Sequence, residues 1–245
     1  WYGTSQVFDS LSLTFRDTPH GVFCAHHYRY SPPMDRRAAP KANGTVAPQG
    51  EGVPSSVSTF LVEVEDATWR RAGFDTMSPE DTIRHCEQVF AEDLGGHPIL
   101  SNNSYWRQFP AIWNDRWGVG KVVLMGDALR TAHFSIGSGT RLAMEDAVAL
   151  AKALREHGSD VPAALAAYQT LRLPPMKKIW DAANVSLRWY EHMDEHMRTM
   201  TPVEFAYSYM TRTGRVSHAE MKRRDPGLAE AYEQLHPEVL GGSSA

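Results

Sequence analysis

The most constraining part of this 245-residue chain runs from Val122 to Ala147. Lys121-Val122-Val123-Leu124-Met125 is a short apolar run of the kind found in a strand buried on both faces. Gly126-Asp127 ends it, and after a loop Gly137-Ser138-Gly139 opens a helix whose apolar face is read as Leu142, Val148, Leu150, Ala151 and Leu154. Gly126 lets the backbone leave the strand tightly. Asp127, at the strand's carboxyl end, can accept hydrogen bonds from a sugar-like hydroxyl. Gly137 and Gly139 let a planar ligand come close to the main chain, and the free amides of the helix start favour negative charge there.

The sequence around this segment predicts an α+β fold. Residues 1–34 read as β structure: Val7 to Phe15 alternates, Asp17 to Gly21 supplies a turn, and Val22 to Tyr30 is rich in aromatics. Residues 35–57 are rich in Pro and Gly and poor in large apolar groups, the composition of a mobile insertion. Thr59 to Glu65 resumes strand periodicity. Ser78-Pro79, Asp160 with Pro162, Thr201-Pro202 and Asp225-Pro226 are helix starts, and Pro174-Pro175 is read as an interruption between two helices. The expected division is a β-sheet domain over 1–118 and a strand with helices over 119–245.

Composition narrows the class of function. A net charge of −4 gives no basic footprint for nucleic acid, and no apolar run is long enough to suggest a membrane span. Two cysteines, Cys24 and Cys86, suit small apolar fillers in a reducing compartment. With no leader at the amino terminus, the cytoplasm is the expected location.

With these residues in view, the chain resembles the single-component FAD-dependent aromatic hydroxylases. Gly126-Asp127-Ala128 after an apolar run, then Gly137-x-Gly139 opening a helix with Glu145-Asp146-Ala147, looks like that family's second flavin motif. His133 to Thr140, Trp1-Tyr2-Gly3-Thr4, Ala25 to Tyr30 and Ser58-Thr59-Phe60 resemble the branch acting on salicylyl-CoA and 2-aminobenzoyl-CoA. A violacein-pathway hydroxylase branch shares a similar His-Phe-Ser-Ile-Gly stretch.

The resemblance implies a substrate-binding sheet followed by the carboxy-terminal, flavin-contacting segment. It implies FAD and NAD(P)H as cofactors, with oxygen delivered through a flavin C4a-hydroperoxide to the ring of an aromatic CoA thioester. Gly126 and Asp127 would contact the ribityl-pyrophosphate part of FAD, and Ser135, Ile136, Gly137, Ser138 and Gly139 would lie beside the isoalloxazine. His27, Tyr30 and His133 are candidates to draw a proton from the ring substituent. The family's Gly-x-Gly-x-x-Gly unit for the ADP half is not in this sequence, which leads us to expect an amino-terminal FAD-binding half on another or a longer chain. A truncated, non-catalytic product is the competing expectation.

Three features carry bland readings beside sharper ones. His192-Met193-Asp194-Glu195-His196 matches an inverted zinc-protease pattern, with Glu220 or Glu230 as a third ligand, but also a solvated helix face. Arg212, Arg215, Lys222, Arg223 and Arg224 suit a solvated surface or a CoA phosphate contact. Arg130, in place of a common His, is a second candidate for a phosphate.

Overall fold

The computed structural model describes residues 1–29, 57–101 and 103–241. The insertion read over 35–57 therefore lies, except for Val57, outside the described residues, as does Tyr30. The chain divides into two compact units, Trp1–Arg107 and Gln108–Ala245. Sequence reading put the change at 118. The earlier division arises because Trp113 and Trp117 pack into the second core.

The first unit is a five-stranded antiparallel sheet in the order β2-β3-β4-β1-β5, built from β1 (Tyr2–Thr4), β2 (Ser12–Thr18), β3 (Gly21–Arg29), β4 (Ser58–Val64) and β5 (Ile99–Leu100). The β2–β3 hairpin turns at Thr18 to Gly21, where the Thr18 hydroxyl donates to Gly21 O at 2.7 Å and Gly21 takes φ +126. The alternation read from Val7 begins as a strand only at Ser12. Phe23 and Ala25 of β3 and Phe60 and Val62 of β4 share one core with Phe74, Cys86, Phe90 and Leu94. These come from the segment that holds α1 (Asp66–Arg71), α2 (Pro79–Val89) and α3 (Ala91–Leu94). Ser78 caps α2, accepting from Asp81 N at 3.0 Å, and Gly95 ends α3 in the left-handed region. Both cysteines are buried. Burial pushes the Cys86 thiol up to about 12, as expected of a filler.

The second unit opens with a hairpin of β6 (Gly118–Val119) and β7 (Val122–Val123). This corrects the doubly buried strand expected over Lys121–Met125: only two residues pair, and Val122 is 69% exposed. Among the described residues β7 has β6 as its only strand neighbour, and while Val123 packs on the second core, Val122 faces solvent. Then come α4 (Gly139–His157), α5 (Val161–Tyr190), α6 (Met193–Thr199), α7 (Pro202–Thr211), α8 (His218–Arg224) and α9 (Pro226–Leu235).

Two further expectations are corrected here. α4 buries Leu142, Asp146, Ala149 and Ala153, while Val148, Ala151 and Leu154 are exposed. The apolar count drew the stripe one step around the helix, because it left out the buried acid. Pro174-Pro175 does not interrupt: α5 runs through both. Prolines at these positions deprive the carbonyls of Thr170 and Leu171 of their helical donors. Thr170, Leu171 and both prolines are exposed, so water can take the place of those donors.

Candidate functional site

The apolar run leads into a 3-10 turn at Gly126–Ala128. Gly126 has φ +57, and a Cβ there would lie 3.4 Å from the Cβ of Ala143 on α4. The turn is therefore both left-handed and pressed against the helix, which only glycine tolerates.

Asp146, fully buried on α4, holds the turn in place. Its Oδ2 accepts from Gly126 N at 3.2 Å and from Arg130 Nη1 at 2.7 Å, and its Oδ1 accepts from Arg172 Nε at 3.0 Å. Arg130 Nη1 and the Arg130 amide also donate to Gly126 O, at 3.3 and 3.1 Å. Arg172 Nη2 lies 2.9 Å from Glu145 Oε2, close enough for attraction but not aligned as a hydrogen bond. Two buried guanidinium groups thus face the buried carboxylate of Asp146, with the partly exposed Glu145 at the edge, and neither buried sign could stand alone. This settles Arg130: its side chain is committed to Asp146 inside the unit rather than held out to a phosphate. The hydroxyl of Tyr168, buried beside this cluster, is pushed up to about 12 by burial, with the Asp146 charge adding to it.

The turn leaves Asp127 exposed, and among the described residues its carboxylate makes no hydrogen bond. A second 3-10 turn follows at Phe134–Ile136, and Gly137 takes φ +59. Ser138 stands at the N-cap of α4 but turns its hydroxyl back to donate to Ile136 O at 3.1 Å, so no side chain caps the helix. A Cβ on Gly137 or Gly139 would meet nothing within 4 Å. Open main chain, an uncapped helix start and an uncommitted carboxylate fit a planar, partly anionic cofactor such as a flavin.

His133 is buried behind this loop, with its ring centroid 4.4 Å from Phe134 and 5.2 Å from Tyr190. Its Nδ1 accepts a long hydrogen bond from Ser135 N at 3.4 Å. His27 belongs to the first unit, on the sheet face that carries Phe23 and Ala25. Its Nε2 lies 2.9 Å from Thr14 Oγ1, its ring lies 3.8 Å from Phe8 and 5.9 Å from Phe60, and burial holds its pKa below the usual imidazole range. His26 points to the opposite face, with Nε2 2.9 Å from Glu63 Oε2. Neither unit by itself brings His27 and His133 together.

Among the described residues the zinc pattern lacks a third ligand. His192 stands at the N-cap of α6 with φ −128, its ring centroid 6.4 Å from that of His196. Its Nδ1 lies 2.8 Å from Arg188 O, and among the described residues no group of three metal-binding side chains exists. Much of the basic tail is committed internally: Arg224 and Arg223 pair with Glu220, Lys222 with Glu233, and Arg212 with Ser186. Sequence reasoning did not single out Arg172 or Ser186, quoted Asp146 only within the resembling motif, and read Arg212 as a surface residue or a CoA phosphate contact. Only Asp146 carried a signal, as an acid at the spacing of a buried helix stripe.

Comparison with known proteins agrees with this geometry. Residues 3–183 match the FAD binding domain family. The chain is 40% identical over 95% of its length to a salicyloyl-CoA 5-hydroxylase of Streptomyces sp, of which it covers 42%. It is 38% identical over 86% of its length to protodeoxyviolaceinate monooxygenase of Chromobacterium violaceum, covering 50% of that protein. With a 3-hydroxy-4-methyl-anthranilyl-aryl-carrier-protein 5-monooxygenase of Streptosporangium sibiricum it shares 33% identity over 93% of its length, covering 53%. The chain thus spans about half the length of these curated relatives. No helix among the described residues is long and apolar enough to cross a membrane. The chain belongs to the FAD binding domain family.

Proposed function

We propose that this chain carries the flavin-ring half of an FAD- and NAD(P)H-dependent monooxygenase that hydroxylates an aromatic ring. The observation that carries this is the pair of loops at Gly126–Ala128 and Phe134–Gly139. They offer an uncommitted carboxylate, two glycines facing open space and a helix start no side chain has capped. FAD, when bound, supplies oxygen activation, and NAD(P)H its reducing hydride. Gly126 and Asp127 take the ribityl-pyrophosphate side, with the Asp127 carboxylate accepting from hydroxyls. Ser135, Ile136, Gly137, Ser138 and Gly139 would bound the ring, with the uncapped start of α4 favouring negative charge on it.

The substrate we favour is an ortho-substituted benzoyl-CoA of the salicylyl-CoA or 2-aminobenzoyl-CoA type, supported by the 40% identity to a salicyloyl-CoA 5-hydroxylase. A tryptophan-derived substrate is the second reading, supported by the 38% identity to protodeoxyviolaceinate monooxygenase. His133, within the flavin loop, is our first candidate to draw the proton from the ring substituent. His27 and Tyr30 follow it. The sheet unit would then contact substrate, the cytoplasm would house the enzyme, and an amino-terminal half would bind the ADP part of FAD.

Flavin titration tests this reading. FAD should bind weakly to this chain alone and stoichiometrically when a Gly-x-Gly-x-x-Gly half is added. NAD(P)H oxidation should then be stimulated by salicylyl-CoA but not by free salicylate. Failure to quench flavin fluorescence in either mixture would remove the flavin assignment.

A further inference from the structure

Ser135 is tied to two residues far from it in sequence. Its Oγ lies 2.7 Å from Ser186 Oγ on α5, and Ser186 Oγ accepts from Arg212 Nε at 2.8 Å. Arg212 follows α7 directly. It is held in place twice more, by Nη1 donating to Tyr209 O at 2.6 Å and by its guanidinium lying 3.9 Å from the Tyr209 ring centroid.

The direction of this chain follows from what each group can do. Arg212 only donates. Ser186 is fully buried, and among the described residues its hydroxyl touches nothing but Arg212 and Ser135. If Ser135 donated to Ser186, the Ser186 hydrogen would have no acceptor in a site closed to water, a costly arrangement. Ser186 therefore donates to Ser135, a half-buried loop residue, whose own hydrogen is left for an acceptor other than Ser186. A cation at the head of such a chain polarises each successive O–H.

We propose that Arg212 is a positioning residue: through Ser186 it fixes Ser135 as a hydrogen-bond donor to the electron-rich edge of the flavin. This deepens the FAD assignment and rests on it. A donor at that edge favours the anionic reduced ring over the oxidised one, so the chain raises the reduction potential without touching the cofactor through Arg212 itself.

Two measurements on Ser186→Ala, Arg212→Met and the double variant test the proposal. In the chain without flavin, hydrogen exchange at the amides of residues 133–139 should accelerate about tenfold in each single variant, as expected for losing a charge-assisted bond. In the FAD-loaded mixture with an amino-terminal half, both single variants and Ser135→Ala should lower the flavin midpoint potential by similar amounts, with no added shift in the double variant. Unchanged exchange in Ser186→Ala overturns the positioning role, whether or not FAD binds. Additive shifts, or a potential that ignores Ser135→Ala, overturn the donor role. Failure of the unmodified chain to bind FAD even with the amino-terminal half added removes the flavin assignment and the donor role with it, while the exchange result still decides positioning. Should Arg212→Met fail to fold through loss of its Tyr209 stacking, Ser186→Ala carries the decision, since it leaves that contact intact.

Discussion

Asp146 does at the residue scale what the motif glycines cannot do alone. A glycine permits the left-handed turn at Gly126, but permission is not preference, because glycine is equally free elsewhere. The carboxylate supplies the preference by taking the Gly126 amide and the Arg130 and Arg172 guanidinium groups at once. Arg130 Nε and Nη2 already make no hydrogen bond among the described residues. Asp146→Asn should therefore strand the buried Arg130, leave Arg172 with only Glu145, and destabilise the chain by about 3–5 kcal/mol, a large share of the ~5–15 kcal/mol that holds a domain. Urea unfolding measures this directly. Replacing Arg130, Asp146 and Arg172 together by apolar residues of similar volume should restore much of the stability, because buried ion clusters are often no better than good packing. Flavin affinity should not return with it, since Gly126 would no longer be held. Recovery of both would mean the cluster has no part in shaping the loop.

Legibility from sequence follows the range of the interaction, element by element. Helix starts were readable because a cap and its amide are three residues apart: Asp160 accepts from Ala163 N at 3.1 Å, and Asp225 from Leu228 N at 3.0 Å. Thr201 and Glu204 form a reciprocal capping box. The left-handed turns at Gly126 and Gly137 were readable for the same reason, since each depends on a glycine within one short stretch. Ser186 and Arg212 could not be read, because their link to Ser135 spans 51 residues and uses residue types common on any surface. The run through Pro174-Pro175 was hidden because it depends on which side of α5 faces water.

The end of α9 makes a further element-scale case. His236 Nε2 lies 2.8 Å from Glu204 Oε1 on α7, and its Nδ1 lies 3.0 Å from Glu238. The Thr201 amide and hydroxyl, then His236, hold Glu204 down at about 2, while Glu204 and Glu238 raise His236 above its usual 6.5. The contribution from Glu204 is present above its ordinary pKa of 4.5 and is lost as pH falls toward 2. That from His236 is complete below 6.5 and is lost as pH rises through its raised value. Contact between α7 and α9 should therefore be tightest between about pH 4.5 and 6.5. Partly exposed pairs move global stability little, so the readout is local exchange at residues 201–236. Exchange corrected for intrinsic rate should be slowest in that window, and His236→Gln should abolish the loss of protection on the alkaline side.

At the scale of the whole molecule, the second unit leaves uncovered what a finished domain would bury. Val119 and Val122 on the β6–β7 hairpin are 63% and 69% exposed, and Met144 and Val148 on α4 are 65% and 70% exposed. Scattered surface apolar residues are ordinary, but a hairpin that pairs on one edge only and turns Val119 and Val122 to water invites a partner. The chain spans about half of its curated relatives, and an amino-terminal half is the partner our functional proposal requires. Val122→Asp separates the two demands. In this chain the side chain is exposed, so the substitution should change stability by no more than about 0.5 kcal/mol. In the mixture with an amino-terminal half, a carboxylate buried without a partner should block assembly and with it stoichiometric FAD binding. Lys152→Asp, a charge change on the exposed surface of α4 away from the hairpin, should leave assembly unaffected. If Val122→Asp assembles and binds FAD as the unmodified chain does, the hairpin is not the seam between the halves.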